Sequence, residues 1–497
     1  MQRAWKSMSQ CPGISKSIEL KHAYWLRSGA YTLMEKAVSL LYGFGGAVVL
    51  FRSLEKAEFG TWVLFTVVVS ILEVGRIGLL QNALVKYLSE HNNDEETSRI
   101  NTASVVLNLM LTGVIILLLN VFAGTAAQLL HAPDLAPLLR IYSFTTLALI
   151  PFFQFNYIQQ ANLDFKGIFF SNLFKGSVLF GYIIFAFSFG KNIELTTLAW
   201  YQVGSAVVGS VVAWYFARPW LNYSRSVDWQ WVRKLFRFGK YVLGTNLSTQ
   251  IFRNSDKLLL GALPGAGAAA VALYDAAMRI TNLTDIPTHS MASMLFPQTA
   301  RRTSENGALK FLYEKAVGAI LAFLVPVIIV VELFAEWIIH IVAGPEYAES
   351  AMLLRITILF GLFIPYAVQF GTLLDSAGRP RVNFLYTLLS LVLTAAFNYL
   401  FIIRMGVLGA ALGTLLAYGA SFALMQWYLH RHFGIQPLRP FMYMAGFVRS
   451  LLRFAMRLLR GEESLLKLIA KLAKSEDVSH PSQTGTGSAE PAKAESL

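Results

Sequence analysis

The chain has 497 residues, of which 55% are hydrophobic and only 14% charged, whereas a soluble domain carries roughly a quarter charged residues. That composition excludes a water-soluble globular enzyme of this length and makes lipid the solvent for most of the chain. The formal net charge of +13 would point to nucleic acid in a soluble protein; here it has to be read from where the bases lie relative to the apolar stretches.

The segment 1–23 holds no apolar run followed by a small-residue cleavage site, so it is expected to be a cytoplasmic N-terminus rather than a signal peptide. Its single cysteine, Cys11, admits no intramolecular disulfide and no Cys/His metal spacing, and no motif calls for a metal or cofactor. Twelve apolar segments follow, at 27–51, 59–88, 100–122, 138–160, 166–189, 195–217, 238–261, 268–298, 311–335, 350–374, 382–403 and 407–430. Each is long enough to cross about 30 Å of hydrocarbon as a helix, and backbone groups in lipid must be satisfied within the segment. The predicted fold is all-α: a polytopic membrane protein of about twelve transmembrane helices.

With the N-terminus inside, the inner loops together with the span ends that adjoin them hold 30 of the 42 Lys and Arg residues, and the outer loops with theirs hold 5. This asymmetry places both termini in the cytoplasm. Beyond His430, Arg449, Arg453, Arg457 and Arg460 form a helical stripe among Leu451, Leu452, Phe454, Leu458 and Leu459, and Lys467, Lys471 and Lys474 continue it. Two readings stand for this stretch: a helix on anionic headgroups at the cytoplasmic surface, or a helix that packs on a partner or on the chain itself. From Ser475 to Leu497 the composition is that of a disordered tail.

An internal repeat organises the spans. LRSGAYTL from Leu26 returns as FRFGKYVL from Phe236, an offset of 210 residues. PDLAPLLRI (Pro133 to Ile141) opens span four and PEYAESAMLLRI (Pro345 to Ile356) opens span ten, and each runs on to an Ile-Pro pair at Pro151 and Pro365. Spans one to six thus repeat as seven to twelve in the same orientation, giving two six-helix lobes related by a pseudo-two-fold axis along the membrane normal. The expected division is an N-lobe at 24–217, a cytoplasmic linker at 218–237, a C-lobe at 238–434, a basic amphipathic region at 435–474 and the tail at 475–497.

The turn after span one, FRSLEKAEFGTWVLF from Phe51 to Phe65, resembles the L-G-x-x-E-F-G-x-Y turn of bacterial oligosaccharide flippases, with Leu54, Glu55 and Lys56 in place of the usual Leu-Gly-Pro. NSDKLLLG from Asn254, VALYDAAMRI from Val271, AGPEYAESAMLLRI from Ala343 and GVLGAALGTLLAYG from Gly406 resemble later parts of the same family. That family is the polysaccharide-transport branch, which includes O-antigen flippases, of the superfamily that also holds multidrug exporters. The resemblance implies two lobes around a V-shaped cavity that opens alternately to each side of a bacterial inner membrane. It also implies a substrate, an undecaprenyl-pyrophosphate-linked oligosaccharide flipped for O-antigen or exopolysaccharide assembly, and polysaccharide assembly proteins as partners. A cation-coupled multidrug exporter is the nearest alternative. A polyprenyl-linked glycosyltransferase or polymerase is less well matched, because no HExxH, GxSxG or acidic metal motif lies outside the spans. The expected protein is a transporter, not an enzyme.

Ionisable residues at bilayer depth are functional candidates. Glu35 and Lys36 lie on span one, Glu73 and Arg76 on span two, Lys175 on span five, and Arg253, Asp256, Lys257, Asp275 and Arg279 on spans seven and eight. Bases outnumber acids in this set, as an anionic pyrophosphate headgroup requires. Asp275 with Arg279 and Glu73 with Arg76 stand at helical spacing and can instead neutralise each other. Asp256 can neutralise only one of Arg253 and Lys257. The substrate candidates are Arg253, Lys257, Lys175, Arg76, Arg279 and Lys36, and the candidates for a coupling proton or Na⁺ are Glu35, Asp275 and Asp285. Pro151, Pro287, Pro326 and Pro365 are expected to kink their spans, and Gly43, Gly45 and Gly46 to mark close helix contact. Reporter fusions after Arg225 and Arg302 are expected to read cytoplasmic and fusions at Gly265 and Glu346 external; a cytoplasmic signal at Gly265 would overturn the twelve-span topology.

Overall fold

The computed structural model describes residues 28–90, 93–301 and 306–459. The expected N-terminal segment 1–23, the bases from Arg460 onward and the tail at 475–497 lie outside the described residues. Within them the regular structure is entirely helical, and successive spans alternate in direction: α1 (Ser28–Ser53), α2 (Lys56–Glu90), α3 (Asp94–Val121), α4 (Leu135–Ala161), α5 (Phe165–Ser188) and α6 (Leu195–Ala217). The second half comprises α7 (Trp229–Ala262), α8a (Ala268–Thr281) with α8b (Asp285–Ala300), α9 (Asn306–Val342), α10a (Ser350–Ile358) with α10b (Ile364–Ser376), α11 (Pro380–Met405), α12 (Val407–Phe433) and a terminal α13 (Arg439–Leu459).

Local chemistry sets the starts. Asn93, Asp164 and Asp228 cap α3, α5 and α7 by accepting from the amides of Glu95, Gly167 and Gln230, satisfying donors that a helix leaves open. Asp94, Glu95 and Glu96 fill the first turn of α3, where the helix dipole favours acids. The dense acids that weaken the inner loop after span two therefore serve a helix start.

Among the described residues ten helices are long and apolar enough to cross a membrane, with α10 taken across its break. The two expected spans below that threshold are α7 and α8, which carry most of the intramembrane charge. Spans eight and ten are also not continuous. Span eight breaks at the 3₁₀ turn Asn282–Thr284 and span ten at Leu359–Leu362. Pro287 and Pro365 stand in the first turns of α8b and α10b, so they follow breaks rather than kink a running helix. Pro151 and Pro326 do lie inside α4 and α9, but the irregular residue of α9 is Phe334 (φ −112°, ψ 18°), well past Pro326. Span four is unbroken where its repeat partner, span ten, is broken.

The two breaks pack on each other. The Thr281 and Thr357 hydroxyls lie 2.8 Å apart, an added Cβ on Gly361 would meet Thr284 at 3.6 Å, and Gln369 donates to the Thr288 carbonyl at 3.0 Å. Non-helical backbone at membrane depth is tolerated where it is buried in protein or lines a cavity, and these breaks do both.

The core shows how the lobes meet. On the side away from the chain termini, one apolar cluster runs without interruption from Leu50, Phe59 and Ile183 of the first half to Leu260, Tyr274 and Ala410 of the second. Phe51 packs edge-on against Tyr347 at 4.9 Å, and Arg52 donates to the Ile341 carbonyl at 2.5 Å. On the terminal side the core divides. One cluster joins α2, α3 and α4 to the start of α7, and a separate one joins α9, α10b and α12. Exposed apolar residues stand there on α1 (Leu33, Met34) and on α8b (Met294, Phe296). The lobes share the far-side cluster, whereas on the terminal side they stay joined along α2 and α7 while α9, α10b and α12 form a cluster of their own.

One seam holds at both ends. α2 packs along α7 and α8a, with Gly60 against the carbonyl of Ala268 near the far side and Gly239 against the carbonyl of Leu79 near the terminal side. Any side chain at either glycine would occupy the space of that carbonyl. Gly60→Val and Gly239→Val are each expected to lower the thermal stability of the purified protein, by about 1–3 kcal/mol. Gly244→Ala, where nothing lies within 4 Å, serves as control, and melting temperatures equal to wild type in both variants would refute the close seam.

Candidate functional site

The helix breaks open a cavity of about 650 Å³ within the C-lobe. α7 contributes Phe252, Arg253 and Asp256, the span-eight break contributes Asn282 and Asp285, α8b contributes His289, α10b contributes Asp375, and α11 and α12 contribute a row of hydroxyls. The row is legible in the chain: Asn383, Thr387, Ser390 and Thr394 on α11, then Thr414, Tyr418 and Ser421 on α12, recur at helical spacing inside otherwise apolar spans. A smaller pocket of about 300 Å³ between α7 and α11 shares Thr249, Phe252, Asp375, Asn383 and Thr387 with it.

The charges pair across helices as well as along them. Arg253 donates to Asp285 at 2.7 Å, and its side chain is 51% exposed against 17% for the acid. Asp256 does not neutralise Arg253 or Lys257 through its side chain, contrary to expectation. It is 5% exposed and accepts from the Tyr274 hydroxyl at 2.6 Å and from the Lys257 amide at 2.9 Å. Lys257 turns away from the cavity to Asp275 at 2.6 Å, and Arg279 binds the other oxygen of Asp275 at 2.7 Å. This carboxylate therefore holds two bases, one on its own helix, as the spacing of Asp275 and Arg279 predicts, and one from α7. Arg279 also donates to the Gly43 carbonyl of α1 at 3.1 Å, which ties the lobes together at the π-helical turn Leu41–Gly45. Gly45 packs on Phe180, but nothing stands within 4 Å of a Cβ on Gly43.

Arg76 is the clearest departure from the expected substrate set. It is 0% exposed, lies 3.5 Å from Glu73 of its own helix and donates to Thr112 and Thr146 at 2.9 and 2.5 Å. Tyr142 and Thr146 donate in turn to Glu73 at 3.3 and 2.7 Å. The pair neutralises itself inside the N-lobe and does not reach a cavity. Lys175 lines a separate N-lobe pocket of about 310 Å³. Glu35 accepts from Asn172 at 3.4 Å, and Lys36 is exposed. The intramembrane charges are thus divided: the C-lobe cavity has three carboxylates, Asp256, Asp285 and Asp375, against Arg253 and His289, and Lys175, which among the described residues has no carboxylate in ion-pair contact, lies in the N-lobe. Asp375 was missed because it sits at a span end, where a charge reads as loop. His289, Asn282 and Tyr274 gave no signal of their own.

Two lobes and helices broken at a polar cavity define a two-lobed, all-helical membrane-protein fold. The same fold is found in a solved structure, "Lipid II flippase MurJ, inward closed conformation", with a TM-score of 0.67 and 12% identity over 90% of this chain and 96% of that one. The chain belongs to the family described as "Polysaccharide biosynthesis protein", which matches residues 49–352. It is similar to the "Probable low-salt glycan biosynthesis flippase Agl15" of Haloferax volcanii, 23% identical over 48% of this chain and 51% of that protein, about half its length. It is also similar to the "Putative O-antigen transporter" of Shigella flexneri, 21% identical over 81% of this chain and 97% of the relative.

Removing one partner of a buried ion pair strands the other, at a cost of about 3–5 kcal/mol. Asp275→Asn, which strands both Lys257 and Arg279, is expected to lower the melting temperature of the detergent-purified protein sharply. Arg253→Ala, whose side chain is half exposed, is expected to change it little. Equal melting temperatures for the two variants would show that Asp275 is not the structural centre of this cluster.

Proposed function

We propose that this chain is a flippase that carries a lipid-linked oligosaccharide, of the undecaprenyl-pyrophosphate class, across a bacterial inner membrane by alternating access. The observation that carries the reading is the division of the core around a polar cavity: one apolar cluster spans both lobes on the far side, on the terminal side α9, α10b and α12 form a cluster separate from that of α2 and α7, and broken helices line a polar cavity in the C-lobe. The family membership and the named activities of the glycan-flippase and O-antigen-transporter relatives support the substrate class. With both termini cytoplasmic, the terminal side is the side on which lipid-linked sugars are assembled. The division into N-lobe, linker and C-lobe is part of this proposal, with α7 already begun at Trp229 inside the expected linker.

In this reading Arg253 serves the substrate, since it is the one cavity base with half its side chain exposed. Lys257 and Arg279 act through Asp275 and hold the closed side. Lys36 on α1 and Lys175 in the N-lobe supply further positive charge toward the anionic substrate. Asp285 is the coupling acid best placed, because Asp275 already carries two bases and Glu35 lies outside the C-lobe cavity. A cation-coupled exporter is the second reading, favoured by the three carboxylates of the C-lobe cavity.

The test is glycan export in a flippase-deficient strain at matched membrane levels of each variant. Arg253→Ala is expected to abolish export and Arg253→Lys to restore part of it, because an ammonium keeps the charge but loses the bidentate fork. Asp285→Asn is expected to remove the dependence of export on the ion gradient. Full export by Arg253→Ala would take this residue out of the substrate site, and failure of the wild type to export any glycan while conferring drug resistance would establish the exporter instead.

A further inference from the structure

The N-lobe contains a base that its own fold leaves without a counter-charge. Lys175 turns into the pocket bounded by Tyr42, Tyr142, Thr145, Gln202 and Ser205. Its ammonium lies 4.2 Å from the centre of the Phe152 ring, and among the described residues no carboxylate stands within the 4.0 Å of an ion pair. Glu73 and Glu35 act on it through space, but Glu73 is occupied by Arg76, Tyr142 and Thr146, and Glu35 by Asn172. A ring face returns at most about 2 kcal/mol to a desolvated cation, whereas taking the charge out of water costs several. The charge balance of the pocket is completed by an anion.

Two further groups point the same way. The Thr145 hydroxyl and the Gln202 carbonyl oxygen are buried and have no protein partner, although both residues line this pocket. Buried polar atoms are almost always paired, so each is a vacant partner for a ligand. Tyr42 and Tyr142 are not free in this sense: their hydroxyls bind Ser177 at 2.7 Å and Glu73 at 3.3 Å, leaving their rings as walls. The volume, about 310 Å³, exceeds what a bare halide fills and suits a group the size of one sugar ring. Aromatic walls, one ammonium and one hydroxyl that can donate to an oxyanion, and one amide oxygen that accepts from a sugar hydroxyl suit a sugar unit that carries an oxyanion.

We propose that this pocket is an oxyanion site of the N-lobe, distinct from the C-lobe cavity. It takes the carboxylate or phosphate of a sugar unit, with Lys175 as charge partner and Thr145 and Gln202 as hydrogen-bond partners. The assignment of that sugar to the transported glycan rests on the flippase reading; the site itself does not. Gly43 forms part of the pocket wall while its carbonyl accepts from Arg279, so an occupant lies next to the contact that closes the far side.

The experiment titrates the full-length protein in nanodiscs with sodium glucuronate, inorganic pyrophosphate and, as the neutral control, glucose, by calorimetry. Saturable binding of at least one anion and none of glucose is expected. Binding of glucuronate alone assigns the site to a sugar carboxylate, and of pyrophosphate alone to a phosphate group. Lys175→Met, which keeps the length and removes the charge, is expected to weaken binding at least about tenfold, the scale of a charged hydrogen bond, and Lys175→Arg to retain most of it. Thr145→Val with Gln202→Leu, which leaves the charge in place, is also expected to weaken it. No saturable anion binding, or unchanged binding in Lys175→Met or in the Thr145→Val with Gln202→Leu variant, overturns the site. Glycan export is followed in parallel: export without anion binding overturns the site alone, and anion binding without export of any glycan overturns the flippase reading alone.

Discussion

The carboxylate of Asp275 is the point on which the closed side of this molecule depends. It is almost wholly buried, and it holds Lys257 of α7 and Arg279 of α8a on its two oxygens. Without it two bases would be left at that depth with no counter-charge, which costs kilocalories. Arg279, fixed in this way, has a donor left for the Gly43 carbonyl of the other lobe. One acid thus orients two helices of the C-lobe and, through the second base, ties α1 to them.

That arrangement changes how the remaining intramembrane charges are to be weighed. Summed over the sequence, bases outnumber acids, which suggests one positive cavity. In the fold the bases are consumed unequally. Arg76 is sealed beside Glu73, Lys257 and Arg279 share Asp275, and Arg253 faces a cavity that also contains Asp256, Asp285 and Asp375. Net charge over a bundle is therefore a weaker guide than the charge of each compartment. The acids sit where the helices of spans eight and ten break, and the unpaired base sits in the lobe whose spans run unbroken from α2 to α6.

Much of this was legible in the chain because lipid imposes strict rules. Apolar runs of helical length gave the spans, and the recurrence of LRSGAYTL as FRFGKYVL and of the two Pro-led openings gave the two halves. The pairing of Asp275 with Arg279 and of Glu73 with Arg76 followed from spacing on a single helix. What spacing could not supply was any partner on another helix: Asp285 for Arg253, Tyr274 for Asp256, Lys257 for Asp275. Periodicity fixes the face of one helix and says nothing of its neighbour. The breaks were misread for a related reason. Proline marks where a helix can begin as well as where it can bend, and only the packing of Thr284 against Gly361 shows that Pro287 and Pro365 follow true interruptions. The first part of α13 was also open to two readings, and the structure shows packing on the chain itself: Glu314 of α9, 1% exposed, accepts from the Gln436 amide at 3.0 Å, and Tyr443 lies over Gly318. Arg449 and Arg453 remain exposed beyond that contact.

The distribution of contacts between the lobes also constrains how such a molecule can move under alternating access. Where backbone meets backbone, at Gly60 with Ala268 and Gly239 with Leu79, the helices are held at both membrane faces. These contacts have no long side chains that could stretch as the lobes separate. The contacts of α1 with the C-lobe are of another kind: a guanidinium on a carbonyl at Gly43, another from Arg52 to Ile341, and the ring pair of Phe51 and Tyr347. Each is made at the end of a side chain and can be exchanged for water at a net cost near that of a single hydrogen bond, about 1 kcal/mol when neutral and somewhat more when charged. A few such contacts set a closing free energy of a few kcal/mol, which is the range in which a ligand's differential binding can shift a two-state equilibrium. In the proposed alternating access, the seam along α2 is the axis and the α1 face the side that opens, and a group bound in the proposed site next to Gly43 sits beside the contacts that have to be exchanged.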